Sequence, residues 1–258
     1  MTATSTSLSF RAIPGIAEIR PGDDLARLLV GALHAWDYVA RHRDVFVIAQ
    51  KVVSKAEGRM VDLRSITPSP RALELARHTG KDPRLVEAIL SESIEVIRAA
   101  PDVLIVRHRL GFVMANAGID RSNVESAPDA ETVLLLPRDC DRAAAELRDR
   151  LSQNLGVAVG VIISDSFGRP WRKGVVNIAL GAAGLPSVID RRGERDRQGR
   201  ALESTDVAFA DAVAGGAGLV MGEAGEGTPV VLVRGLTWDA REAPPQELIR
   251  PVHADLFR

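Results

Sequence analysis

Short apolar runs bounded by polar clusters alternate along this chain with stretches whose apolar residues recur at helical spacing. The runs predict strands and the periodic stretches predict helices. Val45-Phe46-Val47-Ile48-Ala49 reads as a buried strand, with Gln50-Lys51-Val52-Val53-Ser54-Lys55 following it. Helices are predicted over Arg71 to His78 and, with proline in its first turn, over Pro83 to Leu90. Val103-Leu104-Ile105-Val106 and Phe112-Val113-Met114-Ala115 read as a hairpin around His108-Arg109-Leu110-Gly111. Val133-Leu134-Leu135-Leu136 is a further strand closed by Pro137. From Asp139 to Leu155, Ala144, Leu147, Leu151 and Leu155 mark one face of a helix whose start is favoured by Asp139 and Asp141.

The second half opens with the buried strand Val157-Ala158-Val159-Gly160-Val161-Ile162-Ile163. A polar loop is expected to follow at once, then a Gly- and Ala-rich stretch from Val175 to Pro186 and a charged loop from Asp190 to Arg200. A helix over Thr205 to Ala214, capped by Ser204 or Thr205, precedes a Gly-rich passage and the strand Val230-Val231-Leu232-Val233. Helices and strands do not alternate strictly, and hairpin signals recur. An α+β fold with mixed, largely antiparallel sheets is therefore expected rather than a doubly wound sheet. The reading is a single domain over residues 1–258, with a weakly marked two-part division near residue 155.

Composition narrows the class. The chain has 258 residues, 46% hydrophobic and 26% charged, as in ordinary globular proteins. A net charge of -1 supplies no field to draw in nucleic acid or an anionic membrane. No apolar stretch approaches bilayer length, and Met1 to Ser9 lacks the pattern of a signal peptide. A cytoplasmic protein is expected. Cys140, the single cysteine, excludes an internal disulfide and a Cys-based zinc cluster and reads as a structural thiol. The five histidines lack metalloprotease spacing, and no P-loop, Rossmann fingerprint or nucleophile elbow is present.

Four clusters carry candidate chemistry. The first is Ser164-Asp165-Ser166-Phe167-Gly168-Arg169-Pro170-Trp171-Arg172-Lys173-Gly174. There a carboxylate and a hydroxyl suit a hard divalent ion and the cations suit phosphate. A solvated turn after a strand is the plain alternative. The second is Asn116-Ala117-Gly118-Ile119-Asp120-Arg121-Ser122-Asn123, where Asp120 and Asn123 could face one point from a turn, although both are common turn formers. The third is Met221-Gly222-Glu223-Ala224-Gly225-Glu226-Gly227-Thr228, which lets backbone approach a ligand closely or is simply a surface turn. The fourth is Ser54-Lys55-Ala56-Glu57-Gly58-Arg59, which in isolation reads as a solvated charged loop, though Lys55 and Arg59 could meet phosphates. Asp120, Asp165 and Glu223 together have the composition of a Mg²⁺ or Mn²⁺ site handling a nucleoside triphosphate.

These segments resemble one family, the coenzyme F-420:L-glutamate (gamma-glutamyl) ligases. The resemblance rests on Ile13-Pro14-Gly15-Ile16, Pro21-Gly22-Asp23-Asp24, Val52 to Gly58, Ala117 to Asp120 with Asn123, Ser164 to Arg172, and Gly222-Glu223. It implies an intertwined homodimer of two-part α+β subunits that joins L-glutamate to a deazaflavin coenzyme precursor. The reaction would use GTP, two Mg²⁺ or Mn²⁺ ions and potassium, and would pass through an acyl phosphate. By resemblance, Asp120 and Asp165 bind one metal, and Ser166 and Glu223 help bind a second. The turn Ile13, Pro14, Gly15 and Ile16, with Gln50, Lys51, Lys55 and Asn123, holds GTP. So does the loop Met221, Gly222, Glu223, Ala224, Gly225, Glu226, Gly227 and Thr228. Asp120, Asp165 and Lys55 are the expected catalytic groups, with Arg169 or Arg172 offsetting further charge.

Two departures stand out: archaeal members commonly carry Thr and Gln where this chain has Ser166 and Glu223. The stand-alone form is expected, without the C-terminal nitroreductase-like domain of mycobacterial relatives. Three alternatives keep the site but change its use: a ligase for another carboxylate, a GTP hydrolase, or a non-catalytic nucleotide-binding module.

Overall fold

The structure, a computed structural model, describes residues 7–121 and 131–255. Among these described residues, twelve strands and six α-helices follow in chain order. The first are β1 (Ser9–Ala12), α1 (Leu25–Ala35), β2 (Val45–Ala49), α2 (Gln50–Ala56), β3 (Met60–Asp62), α3 (Pro70–Thr79) and α4 (Pro83–Ser91). Next come β4 (Ser93–Ala100), β5 (Val103–His108), β6 (Val113–Ala115), β7 (Thr132–Leu134), α5 (Cys140–Leu155), β8 (Gly160–Arg169) and β9 (Arg172–Ala183). The chain ends with β10 (Val188–Asp190), β11 (Asp206–Ala208), α6 (Phe209–Met221) and β12 (Val230–Arg234). The expected mixed, largely antiparallel α+β architecture is what forms. Among the described residues no helix is long and apolar enough to cross a membrane.

The central sheet has the order β1-β12-β2-β8-β9, with β2 and β8 parallel and the other neighbours antiparallel. It draws strands from both sides of residue 155. Alternate residues of its inner strands enter two cores, because a strand's side chains point to opposite faces in turn. Phe46, Ile48, Val161, Ile163 and Leu232 pack under α1 and α5, against Leu29, Leu33, Ala144 and Leu151. Val45, Val47, Ile162, Val231 and Val233 pack under α6, against Val213, Ala214, Ala217 and Met221. Burial on both faces explains why these strands read as unbroken apolar runs.

The outer edge of β9 is capped by two aspartates. The Ala182 N–H donates to Asp141 on α5 at 3.2 Å, and the Ala179 N–H to Asp211 on α6 at 2.9 Å.

A smaller set of elements lies within residues 60–121 and 131–136. Its sheet has the order β4-β5-β6, and α3 and α4 pack Ala72, Ala76, Val86 and Ile89 against Leu104 and Val106. Short-range signals fix its helices: Ser69 and Asp82 cap the N-termini ahead of Pro70 and Pro83, and Gly80 closes α3 in the left-handed conformation. In the same way Asp139 caps α5, and Gly156 ends it with φ +68°.

Three expectations are corrected. Ser164 to Arg169 is not a loop: β8 runs through it and pairs with β9 as far as Arg169 opposite Arg172. The helix predicted over Thr205 to Ala214 begins only at Phe209, after β11, and continues through the glycines to Met221. Those glycines are contacts rather than breakers, since a Cβ on Gly216 would lie 2.5 Å from the Phe10 ring and one on Gly218 2.7 Å from Asn177. Ser54 to Arg59 is not a solvated loop either, because Ser54 and Lys55 are buried on α2.

Candidate active site

The central sheet changes width at one point. Strand β2 stops at Ala49, opposite Ser164, and turns into α2, while β8 and β9 continue as a two-stranded arm. A cleft of about 310 Å³ opens at this step, at the carboxyl ends of the parallel pair, where open sheets usually take ligands. A register shift between Ile163 and Ser164 re-aims β8 as it reaches the cleft. Ser164, Asp165 and Ser166 therefore line it from the sheet. Gln50, Lys51 and Lys55 line it from α2, Ile16 to Ile19 from the segment after β1, and Met221 to Pro229 from the end of α6.

Burial pushes the Asp165 carboxyl up to about 7. The Asp120 and Glu223 carboxylates raise it as well, while the Ser166 N–H and the Lys51 ammonium oppose the shift. The half-buried Asp165 thus feels the half-buried Asp120 and the exposed Glu223, an arrangement of three carboxylates that suits a cation. Asp120 comes from the smaller set of elements. Its N–H and C=O both pair with Leu134 on β7, at 3.0 and 2.8 Å. The turn before it is left-handed at Asn116 (φ 52°), Ala117 (φ 52°) and Gly118 (φ +66°), a backbone form that L-residues adopt only under constraint. Lys51 Nζ spans the gap to Asp120 at 2.6 Å.

The loop after α6 is held by its own side chains. Thr228 Oγ1 donates to the carbonyls of Val220 and Met221, closing the helix. Glu226 folds back to accept the Ala224 N–H at 2.8 Å, filling the space where a Cβ on Gly222 (φ +73°) would stand. Backbone N–H groups hold the Glu226 carboxyl below its ordinary value. The loop therefore presents backbone donors able to hold an anion.

The cleft gathers Ile16, Gln50, Lys51, Lys55, Asp165, Ser166 and the Met221 to Thr228 loop from the expected set. Asp120 joins them through Lys51 and through its effect on Asp165. Ile13 is sealed in the core, and Pro14 and Gly15 are exposed outside the cleft lining. Arg169 and Arg172 lie at the tip of the arm, about 13 Å or more along the strand from Asp165 at the usual rise per residue. Ser122 and Asn123 fall outside the described residues. Among the described residues no three His, Cys, Asp or Glu side chains form a ready-made metal cage. The donor set nonetheless fits a hard divalent ion: carboxylates and a hydroxyl, with no soft ligand.

Sequence reasoning passed over Glu18 and Asn177, and named Ser164 only as part of its cluster. Glu18 ion-pairs with Lys55. Ser164 Oγ and Gln50 Nε2 are buried in the cleft wall without a hydrogen-bond partner, so both are available to a ligand. Asn177 faces Ser166 across the β8–β9 pair, and only that pairing exposes it as a site residue.

The F420-0:gamma-glutamyl ligase family model matches residues 15–235 of this chain. The Coenzyme F420:L-glutamate ligase of Methanothermobacter thermautotrophicus is 46% identical over 253 residues, covering 97% of this chain and 99% of that protein. The protein of the same name from Methanopyrus kandleri is 48% identical over 256 residues, covering 98% of each chain. That from Archaeoglobus fulgidus is 42% identical over 246 residues, covering 95% of this chain and 94% of its own.

Proposed function

The chain belongs to the F420-0:gamma-glutamyl ligase family, and from that premise we propose that it spends GTP to attach L-glutamate to a deazaflavin coenzyme precursor through an acyl phosphate. That it is an enzyme ligating glutamate in coenzyme F420 biosynthesis follows from the family. The energy source and the intermediate are our reading. The observation that carries it is the cleft itself, where half-buried Asp165 lies within electrostatic reach of two further carboxylates, beside two lysines and a loop of backbone donors.

A carboxylate is a poor electrophile and must be activated before an amine can attack it. One of its oxygens takes the γ-phosphoryl group, the bond from that phosphorus to the β-phosphate oxygen breaks, and GDP departs. Asp120, Asp165, Ser166 and Glu223 would hold divalent metal, which when bound supplies charge neutralisation for the phosphates. Lys51 exchanges Asp120 for phosphate oxygen as that charge arrives. Lys55 donates from the cleft wall to the transferring group, where a fixed cation lowers the barrier most. Donors from the Met221 to Thr228 loop hold the remaining phosphates, in competition with Glu226. The α-amino nitrogen of glutamate then attacks the acyl carbon, and phosphate leaves.

A cytoplasmic homodimer forms part of the same proposal. Exposed Trp171, Val175 and Val176 on the β8–β9 arm support the dimer as apolar surface available to a second copy. Sedimentation equilibrium at a mass of one chain would remove it.

The test of the activity is mass spectrometry of the precursor incubated with L-glutamate, GTP and Mn²⁺ or Mg²⁺. Products heavier by glutamyl units, absent without GTP, are expected. An unchanged precursor with GTP hydrolysed would overturn the acceptor, and glutamylation supported by ATP but not GTP would overturn the nucleotide.

A further inference from the structure

Glu18 lies between β1 and α1, in Ile16-Ala17-Glu18-Ile19, and its carboxylate lines the cleft while pairing with Lys55 Nζ. The two members of the pair stand at different depths: the Lys55 side chain is 10% exposed and that of Glu18 is 55% exposed. The cation sits in the wall and the carboxylate faces solvent. Other acids of the cleft are committed elsewhere, Asp120 to Lys51 and Glu226 to its own loop. Asp165 and Glu223 belong to the metal set of the function proposed above.

Phosphate and Glu18 compete for the same ammonium. A transferring phosphoryl group that draws Lys55 to itself leaves a solvent-facing carboxylate beside the reacting centre. That carboxylate suits an amino group, since charge-assisted hydrogen bonds to ammonium are among the stronger ones. We propose that Glu18 binds the α-amino group of the incoming amino acid and accepts its proton as the amide forms. The ammonium first gives one proton to solvent. The nitrogen lone pair then forms the C–N bond, and the C–O bond to phosphate breaks. Phosphate leaves with that electron pair, and the second proton passes from nitrogen to the Glu18 carboxylate. Amino-acid binding thereby follows nucleotide binding, because Lys55 must be drawn away first. The assignment rests on the acyl-phosphate reading above.

Hydroxylamine separates the two halves of the reaction, because it is uncharged at neutral pH and traps acyl phosphates without a carboxylate partner. Wild-type enzyme and Glu18→Gln are compared with deazaflavin precursor and GTP, once with L-glutamate and once with hydroxylamine. Glu18→Gln should lose about ten- to a hundredfold in kcat/KM for L-glutamate, the range for removing a charge-assisted hydrogen bond. Hydroxamate formation and the KM for GTP should stay within about twofold. Glu18→Asp should recover part of the loss with the same split. Equal losses in amide and hydroxamate, or a rise in the KM for GTP alone, would assign Glu18 to Lys55 instead and overturn the proposal. Wild-type enzyme that forms amide but no hydroxamate would overturn the acyl-phosphate reading, and this assignment with it.

Discussion

The two walls of the cleft are built by different physics. Asp165 follows directly on Val161, Ile162 and Ile163, which the two cores bury on alternate faces, so packing of its strand fixes its position. Asp120 projects from the smaller set of elements, where a strained left-handed turn, one paired residue on β7 and a group of charges hold it. That group centres on Glu92 at the end of α4. Its carboxylate takes Arg59 Nη2 at 2.9 Å, Arg109 Nε at 3.0 Å and His108 Nε2 at 3.4 Å. Arg59 also donates to the Leu136 carbonyl, tying the end of α2 to the strand segment behind Asp120. One wall is held by packing, which is insensitive to pH. The other is held by directional and ionic contacts, which are not. The packed wall is thus the fixed one and the ionic wall the adjustable one, and the Lys51–Asp120 pair joins them.

The largest effect should come from the fixed wall. Asp165→Asn removes the charge at the centre of the site while relieving a buried carboxylate, so activity should fall on the order of 10³-fold or more as thermal stability holds or rises. Normal turnover would sink the metal assignment. Next, Gly181→Ala places a Cβ 2.1 Å from the Cys140 carbonyl, backbone that cannot give way without moving α5. A loss of more than about 3 kcal/mol is expected in denaturant melts.

Much of the fold, though not this contrast, was legible in the sequence. The helices predicted over Arg71 to His78, over Pro83 to Leu90 and from Asp139 form where expected, because caps such as Ser69, Asp82 and Asp139 act within a few residues. The buried strands were legible because burial on both faces leaves a plain apolar run. What was not legible is long-range. Ser164 to Arg169 has the composition of a loop and is a strand only because β9 pairs with it. Gly216 and Gly218 look like helix breakers until Phe10 and Asn177 are known to lie against them. The Asp120, Asp165 and Glu223 candidates were chosen for oxygen chemistry, and the structure sets all three within electrostatic reach. Glu18 carried no signal, since its meaning comes from a lysine 37 positions away.

The adjustable wall should respond to acid. Although burial opposes ionisation, His108, Arg59 and Arg109 hold the Glu92 carboxyl down at about 2. A depressed carboxyl contributes stability above its unfolded value, near 4.5, and that stability is lost as pH falls toward 2. Glu92→Gln should therefore cost about 3 kcal/mol at pH 7, the range for breaking a buried pair, and should flatten the acid limb of the stability curve below pH 4.5. An unchanged acid limb would show that Glu92 is not the hub. A smaller loss, about 2 kcal/mol, is expected for Gly118→Ala, whose Cβ would stand 2.5 Å from Met114 Cε and 3.0 Å from Leu136 in a left-handed backbone. Unlike Gly181→Ala, it should also displace Asp120 and lower activity more than stability.

The smallest effect sharpens the comparison from the packed side. Asp141 lies beneath the edge of β9, where burial pushes its carboxyl up to about 6 and the neighbouring Asp139 charge adds to the shift, while the Ala182 N–H opposes it. The sign is opposite to that of Glu92: a raised carboxyl favours the folded state while protonated. Its stabilisation is present below the ordinary value of 3.8 and is lost as pH rises through about 6. Asp141→Asn keeps an oxygen to accept the Ala182 N–H but cannot ionise. The variant should match wild type near pH 4 and exceed it at pH 8 by about 1 kcal/mol, a figure reduced for the carboxyl's partial exposure. Chemical denaturation at the two pH values measures the difference. A variant less stable than wild type at pH 8 would mean that the charged carboxylate is needed to cap the β9 edge, so that even the packed wall depends on an ionised group.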